Sequence, residues 1–345
     1  MPYYHVLPII TQLTIDQQRA VDEKSPLALS GGPGTGKSVV CLWRHIRNHS
    51  TGVRKSLLLT YTKTLEYYLR ASAVTHDNDA GENIDRIYWW LTHNASNYDE
   101  IIIDEGQDIE KDRLQMFFRY SRNISYGADE RQSMYLSREK LDELLLWFSS
   151  DTRFSNNEPI TLNRNFRNSK EILLFTRSVF PDFLIPQNTI NGAEEKGLKP
   201  IMKLNLGWEI ESQVDEIIGI INDFNSDTHN IGILVPFASQ VEAYYKQIKD
   251  NLNESIEVTK YQNENDDFHG LEGVHVTTFK SSKGTEFDTV IIPDFDSYSW
   301  NLANRPNIVT ENDYYVAFTR AKTNLFLICR NNFPNIGDIN TVTIE

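Results

Sequence analysis

Cysteine is scarce: the 345 residues hold only Cys41 and Cys329, far apart and with no CxxC or Cys/His cluster beside either. A disulfide framework and a structural zinc site are excluded as organising elements, and both thiols read as small core residues. Long apolar runs are also missing. No stretch approaches the roughly 20 apolar residues that span a bilayer, and the start, Met1-Pro-Tyr-Tyr-His-Val-Leu-Pro-Ile-Ile10, has no basic n-region. The expected setting is cytoplasmic, with no membrane partner. Positive charge is in deficit too: 34 Lys plus Arg face 48 Asp plus Glu, a net charge of −14. This argues against a generally basic coat for nucleic acid or an anionic membrane, and leaves room for a local basic stripe.

What is present is the balance of an ordinary folded protein, 40% hydrophobic and 24% charged. At about 150 residues per domain the length suits two domains. Short Val/Ile/Leu runs alternate with helix-length amphipathic stretches, which is the pattern of mostly parallel sheets covered by helices on both faces. The fold class is therefore α/β. Strands are expected at 27–30, 56–60, 100–104, 124–127, 159–162, 231–235, 274–279, 289–292 and 325–328, too many for one small domain. Helical spacing appears at 37–48, 138–149, 209–224 and 240–251. The polar stretch from Asp151 to Pro159 reads as the linker, which gives domains 1–156 and 157–345.

Ser30-Gly-Gly-Pro-Gly-Thr-Gly-Lys-Ser38 fits GxxxxGK[ST], directly after an apolar strand and before a helix. The glycines let backbone N–H groups from Gly31, Gly32, Gly34, Thr35 and Gly36, with Pro33 between them, curl around one anion at a helix start. Lys37 adds positive charge, and the Ser38 hydroxyl suits Mg²⁺. A nucleoside triphosphate is the natural ligand, and a bare turn is the competing reading. The strand Glu100-Ile-Ile-Ile ends in Asp104 and Glu105. At a strand's carboxyl end Asp104 can hold hydrated Mg²⁺ while Glu105 polarises the attacking water. Solvated turn acids are the bland alternative, which the neighbouring phosphate loop disfavours.

With these residues in view, the chain resembles the UvrD/Rep-like superfamily 1 helicases from about Leu13 to Ile328. Leu13-Thr-Ile-Asp-Gln-Gln-Arg-Ala-Val21 is similar to the family's Q motif, which implies Gln17 on the adenine edge of ATP. Leu57-Leu-Leu-Thr-Tyr-Thr62 is similar to motif Ia, which implies single-stranded DNA contacts at Thr60 and Tyr61, with Lys63 beside them. Ala128-Asp-Glu-Arg-Gln132 is similar to motif III, with Gln132 as γ-phosphate sensor. Leu162-Asn-Arg-Asn-Phe-Arg167 is similar to motif IV, with Phe166 stacking on adenine and Arg167 reaching the γ-phosphate. Thr278-Phe-Lys-Ser-Ser-Lys-Gly-Thr-Glu-Phe287 is similar to motif V, which implies Gly284 near the γ-phosphate and Glu286 near the ribose. Tyr315-Val-Ala-Phe-Thr-Arg-Ala321 is similar to motif VI, with Arg320 as arginine finger.

The resemblance implies two RecA-like P-loop domains with ATP between them, and catalytic roles for Lys37, Glu105, Gln132, Arg167 and Arg320. It also shows departures. The stretches from Thr62 to Asp104 and from Arg167 to Thr278 are too short for the family's inserted subdomains. Lys280 stands where histidine is usual, and Val39 where arginine is common. Lys63, Lys280 and Lys283 with Tyr61 are the candidates for a short groove. The cluster Tyr88-Trp-Trp-Leu91 reads either as a platform for a partner or base, or as a buried helix face.

The expected function is a Mg-dependent ATPase motor acting on single-stranded nucleic acid, with DNA the expected form. The alternative is a nucleotide-gated regulatory subunit of a multi-protein complex, for example in anti-phage defence. Its partner would be a nuclease or effector, and it would not unwind.

Overall fold

The computed structural model describes residues 7–129, 138–151, 154, 159–183, 185–207, 209–262, 273–331 and 336–345. The chain divides between Phe166 and Arg167 into two compact units. The first sheet comprises β1 (Ala28–Gly31), β2 (Ser56–Thr60), β3 (Ile84–Arg86), β4 (Glu100–Ile103), β5 (Ile124–Ala128) and β6 (Ile160–Leu162). Its order is β3-β2-β4-β5-β1-β6, and every recorded pairing is parallel.

Side chains on a strand alternate between faces, and here both faces are apolar. Leu29, Leu58 and Ile102 enter one core, with Val40, Leu42 and Ile46 of the helix Lys37–Ser50. Their neighbours Ala28, Leu57, Leu59, Ile101 and Ile103 enter another, with Trp90, Phe117 and Phe148. This double burial is why the strands read as continuous apolar runs. At the amino end of β4 the fully buried Glu100 accepts from Arg44 Nε at 2.7 Å, Asn48 Nδ2 at 2.8 Å, Arg54 Nη1 at 3.3 Å and the Ser125 hydroxyl. Burial alone would push its carboxyl up. The Arg44 charge and the donors from Ser125, Arg44 and Asn48 outweigh that and hold it below the usual glutamate range.

The second sheet holds β7 (Ile201–Lys203), β8 (Ile231–Val235), β9 (Val258–Tyr261), β10 (Val274–Thr278), β11 (Phe287–Ile292), β12 (Ala321–Ile328) and β13 (Thr343–Ile344). Its order is β13-β7-β12-β11-β8-β10-β9, again with parallel pairings. Ile231, Ile233, Val274, Val276 and Ile291 pack against the helices Ile210–Phe224 and Ala238–Asn251. On the chain just after β11, Asp294 is left-handed at φ 54° and leads into a 3₁₀ turn, Phe295–Ser297. Its buried carboxylate accepts from Gln213 Nε2 (2.8 Å), Gln240 Nε2 (3.1 Å), the Tyr244 hydroxyl (3.0 Å) and Arg330 Nε (2.5 Å).

The expected boundary at 156/157 falls before β6. That strand pairs with β1, Leu29 beside Ile160 and Gly31 beside Leu162, so it belongs to the first sheet and the division falls further along the chain. Both cysteines are buried and free, as expected. No helix among the described residues is long and apolar enough to cross a membrane.

Candidate functional site

The phosphate loop joins β1 to the helix Lys37–Ser50. Gly36 caps that helix at φ 87°, a left-handed backbone that a side chain strains, and a Cβ there would lie 2.5 Å from Gln17 Nε2. Lys37 folds back over the loop, its Nζ donating to the carbonyls of Gly31 at 2.7 Å and Gly32 at 3.0 Å. The Thr35 hydroxyl also donates to Gly32, at 2.8 Å. Gln17 is buried; its Nε2 donates to the Thr35 carbonyl at 3.1 Å and its Oε1 accepts from Thr14 N–H at 2.9 Å. The predicted adenine residue thus braces the loop itself.

Two contacts absent from the sequence reading tie the segment after β6 to the same loop. Asn165 Nδ2 donates to the Pro33 carbonyl at 2.9 Å, and Phe166 N–H donates to the Gly34 carbonyl at 2.8 Å. The Phe166 backbone is thus tied to the phosphate loop, and its half-exposed ring has the Arg164 guanidinium 5.0 Å from its centroid. A solvent-facing aromatic at that place can receive a flat base.

Asp104 follows β4 and is fully buried, and among the described residues neither carboxylate oxygen has a well-formed hydrogen bond, the Ser38 hydroxyl being its nearest polar neighbour. Burial, and then the charge of Glu105, push its carboxyl up to about 7 against the opposing pull of Ser38 and Lys37. A buried polar atom without a partner normally costs stability, so an exception calls for an explanation. Orphaned carboxylate oxygens beside a serine at a helix start suit Mg²⁺, which is commonly held by one or two carboxylates plus water and substrate phosphate. Glu105 is left-handed at φ 60°, ψ 44°, a conformation non-glycine residues adopt at a cost of about 1 kcal/mol or more. Gln107 Nε2 donates to Glu105 Oε2 at 2.5 Å, while Gln107 Oε1 accepts from Asp129 N–H at 3.1 Å. Gln107 therefore orients the acid. Its only sequence signal was its place in Asp104-Glu-Gly-Gln107.

The second unit gathers its own set. Arg167 Nε donates to Glu286 Oε2 at 2.9 Å, and its Nη1 to the Thr319 carbonyl at 3.4 Å. Arg320 is buried, donating from Nε to Val316 (3.1 Å) and from Nη1 to Thr285 (3.2 Å). Gly284, next to Thr285, is left-handed at φ 85°. Asn168, another unforeseen member, donates to the carbonyls of Thr319 and Ala321 at 3.1 and 2.6 Å. Arg167, Gly284, Glu286 and Arg320, far apart in sequence, are thus assembled around Thr285 and Thr319.

The nucleic-acid candidates fare less evenly. Thr60 is fully buried, its hydroxyl without a partner among the described residues, and Lys283 is buried as well. Tyr61 is half-buried and meets Tyr88 edge-on, 5.5 Å between centroids. Lys63, half-buried, begins the helix Lys63–Val74, and Lys280 Nζ donates to the Ile308 carbonyl at 2.7 Å. Gln132 lies outside the described residues. The aromatic cluster is divided: Trp90 is buried in the core and Trp89 is exposed.

Residues 222–332 match the family model of the UvrD-like helicase C-terminal domain. A curated protein of Acanthamoeba polyphaga mimivirus, designated an ATP-dependent DNA helicase (R568), is 22% identical over 247 residues, which cover 66% of this chain and 34% of that protein. The chain thus spans about a third of that relative's length. The solved structure of S. cerevisiae Dbp5 bound to RNA and ADP BeF3 aligns over 96% of this chain and 89% of its own, with a TM-score of 0.56 at 10% identity, a likeness of fold. An arterivirus nonstructural protein 10, a helicase solved with DNA, is similar more loosely: TM-score 0.43, 13% identity, 91% of this chain and 62% of that one. The two helix-covered parallel sheets are those of a RecA-like α/β fold.

Proposed function

We propose, from the premise that this chain is a homologue of the UvrD-like superfamily 1 helicases, that it is an ATP-hydrolysing motor acting on single-stranded nucleic acid, with DNA the expected form. The unit ending at Phe166 is the ATP-binding RecA-like domain in this reading, and the unit from Arg167 is its RecA-like companion. The observation that carries it is Asp104, whose unpartnered carboxylate lies beside a phosphate loop with Lys37 folded over it. Bound Mg²⁺ would neutralise phosphate charge there, with Ser38 and Asp104 as its protein ligands.

Lys37 exchanges the Gly31 and Gly32 carbonyls for phosphate oxygens. Glu105, steadied by Gln107, orients the attacking water and accepts its proton. Phe166 offers its ring to the base. Arg167 and Arg320 meet the charge that develops on the γ-phosphate, trading their present partners Glu286, Val316 and Thr285 for phosphate oxygen. Glu286, which also pairs with Lys322 at 3.5 Å, turns its other oxygen from Arg167 to the ribose in this reading.

ATP turnover, measured with and without Mg²⁺ and oligonucleotide, tests this reading alongside Lys37→Ala and Glu105→Gln. Both variants should lose turnover by orders of magnitude, and unchanged turnover in both would sink the proposal. The burial of Thr60 and Lys283 favours retaining a second reading, a nucleotide-gated subunit that serves a partner protein such as a nuclease. Absence of oligonucleotide affinity at low salt, where phosphate contacts are strongest, together with a stable protein partner would select it.

A further inference from the structure

Gln17 answers two separate demands of the fold. Thr14-Ile-Asp-Gln17 opens the helix Ile15–Asp22 as a capping box: the Thr14 hydroxyl accepts from the Gln17 N–H at 3.2 Å, and Gln17 Oε1 accepts from the Thr14 N–H at 2.9 Å. The other end of the same amide, Nε2, donates to the Thr35 carbonyl at 3.1 Å. That carbonyl directly precedes Gly36, whose left-handed φ of 87° turns the chain into the helix Lys37–Ser50. A Cβ on Gly36 would lie 2.5 Å from Gln17 Nε2, so the amide occupies the space that the glycine leaves.

An amide recognises adenine by presenting both ends at once, its oxygen to N6 and its nitrogen to N7. Both ends of Gln17 already hold backbone groups. One hydrogen and one lone pair are left over, on a side chain that is only 5% exposed. Val39 flanks the same glycine, its Cβ 4.0 Å from where the Gly36 Cβ would be, packs on the core of the first sheet, and has no group to bond a base. Phe166 differs. Its N–H is tied to the Gly34 carbonyl at 2.8 Å, and its ring is 51% exposed. Such a ring receives purines and pyrimidines alike, because every base has a π-face. The glycine N–H groups and Lys37 meet only the phosphates, whatever base they carry.

We propose that Gln17 positions the phosphate loop and does not read the base, so that this protein accepts nucleoside triphosphates of any base, held by the loop and by stacking on Phe166. This rests on the motor reading and widens its substrate from ATP to nucleoside triphosphates as a class. Gln17 acts on the triphosphate through the Thr35 carbonyl and the bend at Gly36.

Phosphate release by the full chain from the Mg²⁺ salts of ATP, GTP, CTP and UTP tests it, beside 7-deaza-ATP, which lacks the N7 acceptor. The kcat/KM values for the natural nucleotides should fall within about tenfold of one another, where a site built to bond the base edge rejects analogues by about 10⁴. The 7-deaza analogue should match ATP. Gln17→Ala should raise KM for every nucleotide, and the Ki of inorganic tripolyphosphate as competitive inhibitor, by one common factor of about 3 to 10, the worth of one hydrogen bond. A folding defect alone lowers the active fraction and leaves KM and Ki in place, and the nucleotide panel on the unaltered chain decides even where Gln17→Ala does not fold. ATP preferred by more than about tenfold, or a loss in Gln17→Ala confined to ATP with tripolyphosphate inhibition unchanged, overturns the inference and leaves the motor standing. Hydrolysis of no nucleotide at all overturns both.

Discussion

Replacing Asp104 with asparagine should make the nucleotide-free protein more stable while removing its response to magnesium nucleotide. The carboxylate is fully buried, with neither oxygen in a well-formed hydrogen bond among the described residues. At pH 8, above the value of about 7 to which the Asp104 carboxyl is raised, burying the ionised group costs several kcal/mol, and a neutral amide in the same position costs about 1 to 3. The isosteric change leaves no cavity, so the difference, about 2 kcal/mol, should appear as added stability. For a unit of this size that is a rise of about 4 to 8 °C in melting temperature. Calorimetry in chelator gives this first number. In the parent, Mg·ATP analogue at about 100 times its Kd should add about 2.7 kcal/mol, and the variant should keep only the part that needs no metal. A variant that melts below the parent without ligand, or that gains as much from Mg²⁺ with nucleotide, would refute the assignment of Asp104 as an electrostatically strained metal ligand.

Gly36→Ala places a Cβ at φ 87° and 2.5 Å from Gln17 Nε2, so its urea midpoint should fall by the equivalent of about 2 kcal/mol; an unchanged midpoint would show that the loop relaxes freely. Glu100→Ala leaves Arg44 buried without its partner and should cost about 3 to 5 kcal/mol in chemical denaturation at neutral pH. Because the Glu100 carboxyl is held below its ordinary 4.5, its support is fully present above that value and is lost as pH falls below it, so parent and variant should converge in acid. A gap independent of pH would contradict that. Arg320→Ala should lower ATP turnover about 10³-fold with a much smaller change in nucleotide affinity, and a loss under tenfold would remove it from the transition state.

The sequence showed those parts of the fold whose burial is one-signed. The central strands, apolar on both faces, were readable as Val/Ile/Leu runs. β3, β7, β9 and β13 were not, because Ile84-Asp-Arg, Ile201-Met-Lys, Val258-Thr-Lys-Tyr and Thr343-Ile lie at or next to sheet edges and mix apolar with polar residues. The phosphate loop was legible because its geometry demands glycine letters. Gln107, Asn165 and Asn168 were not, since amides that hydrogen-bond distant backbone leave no periodic trace. The polar run at 151–159 looked like a boundary, but composition cannot reveal that the short strand after it joins β1. The exposure of Trp89 beside buried Trp90 is likewise decided by packing that two identical letters cannot distinguish.

The left-handed acid that ends a central strand and opens a 3₁₀ turn occurs twice, at Glu105 and at Asp294. The residue before it is Asp104 in one copy and Pro293 in the other, and proline has no side-chain oxygen to lend a cation. Asp294 is saturated by two glutamines, a tyrosine and an arginine, where Asp104 stands open. One backbone bend thus leaves an acid open in the first half of the molecule and ties one down as a keystone in the second.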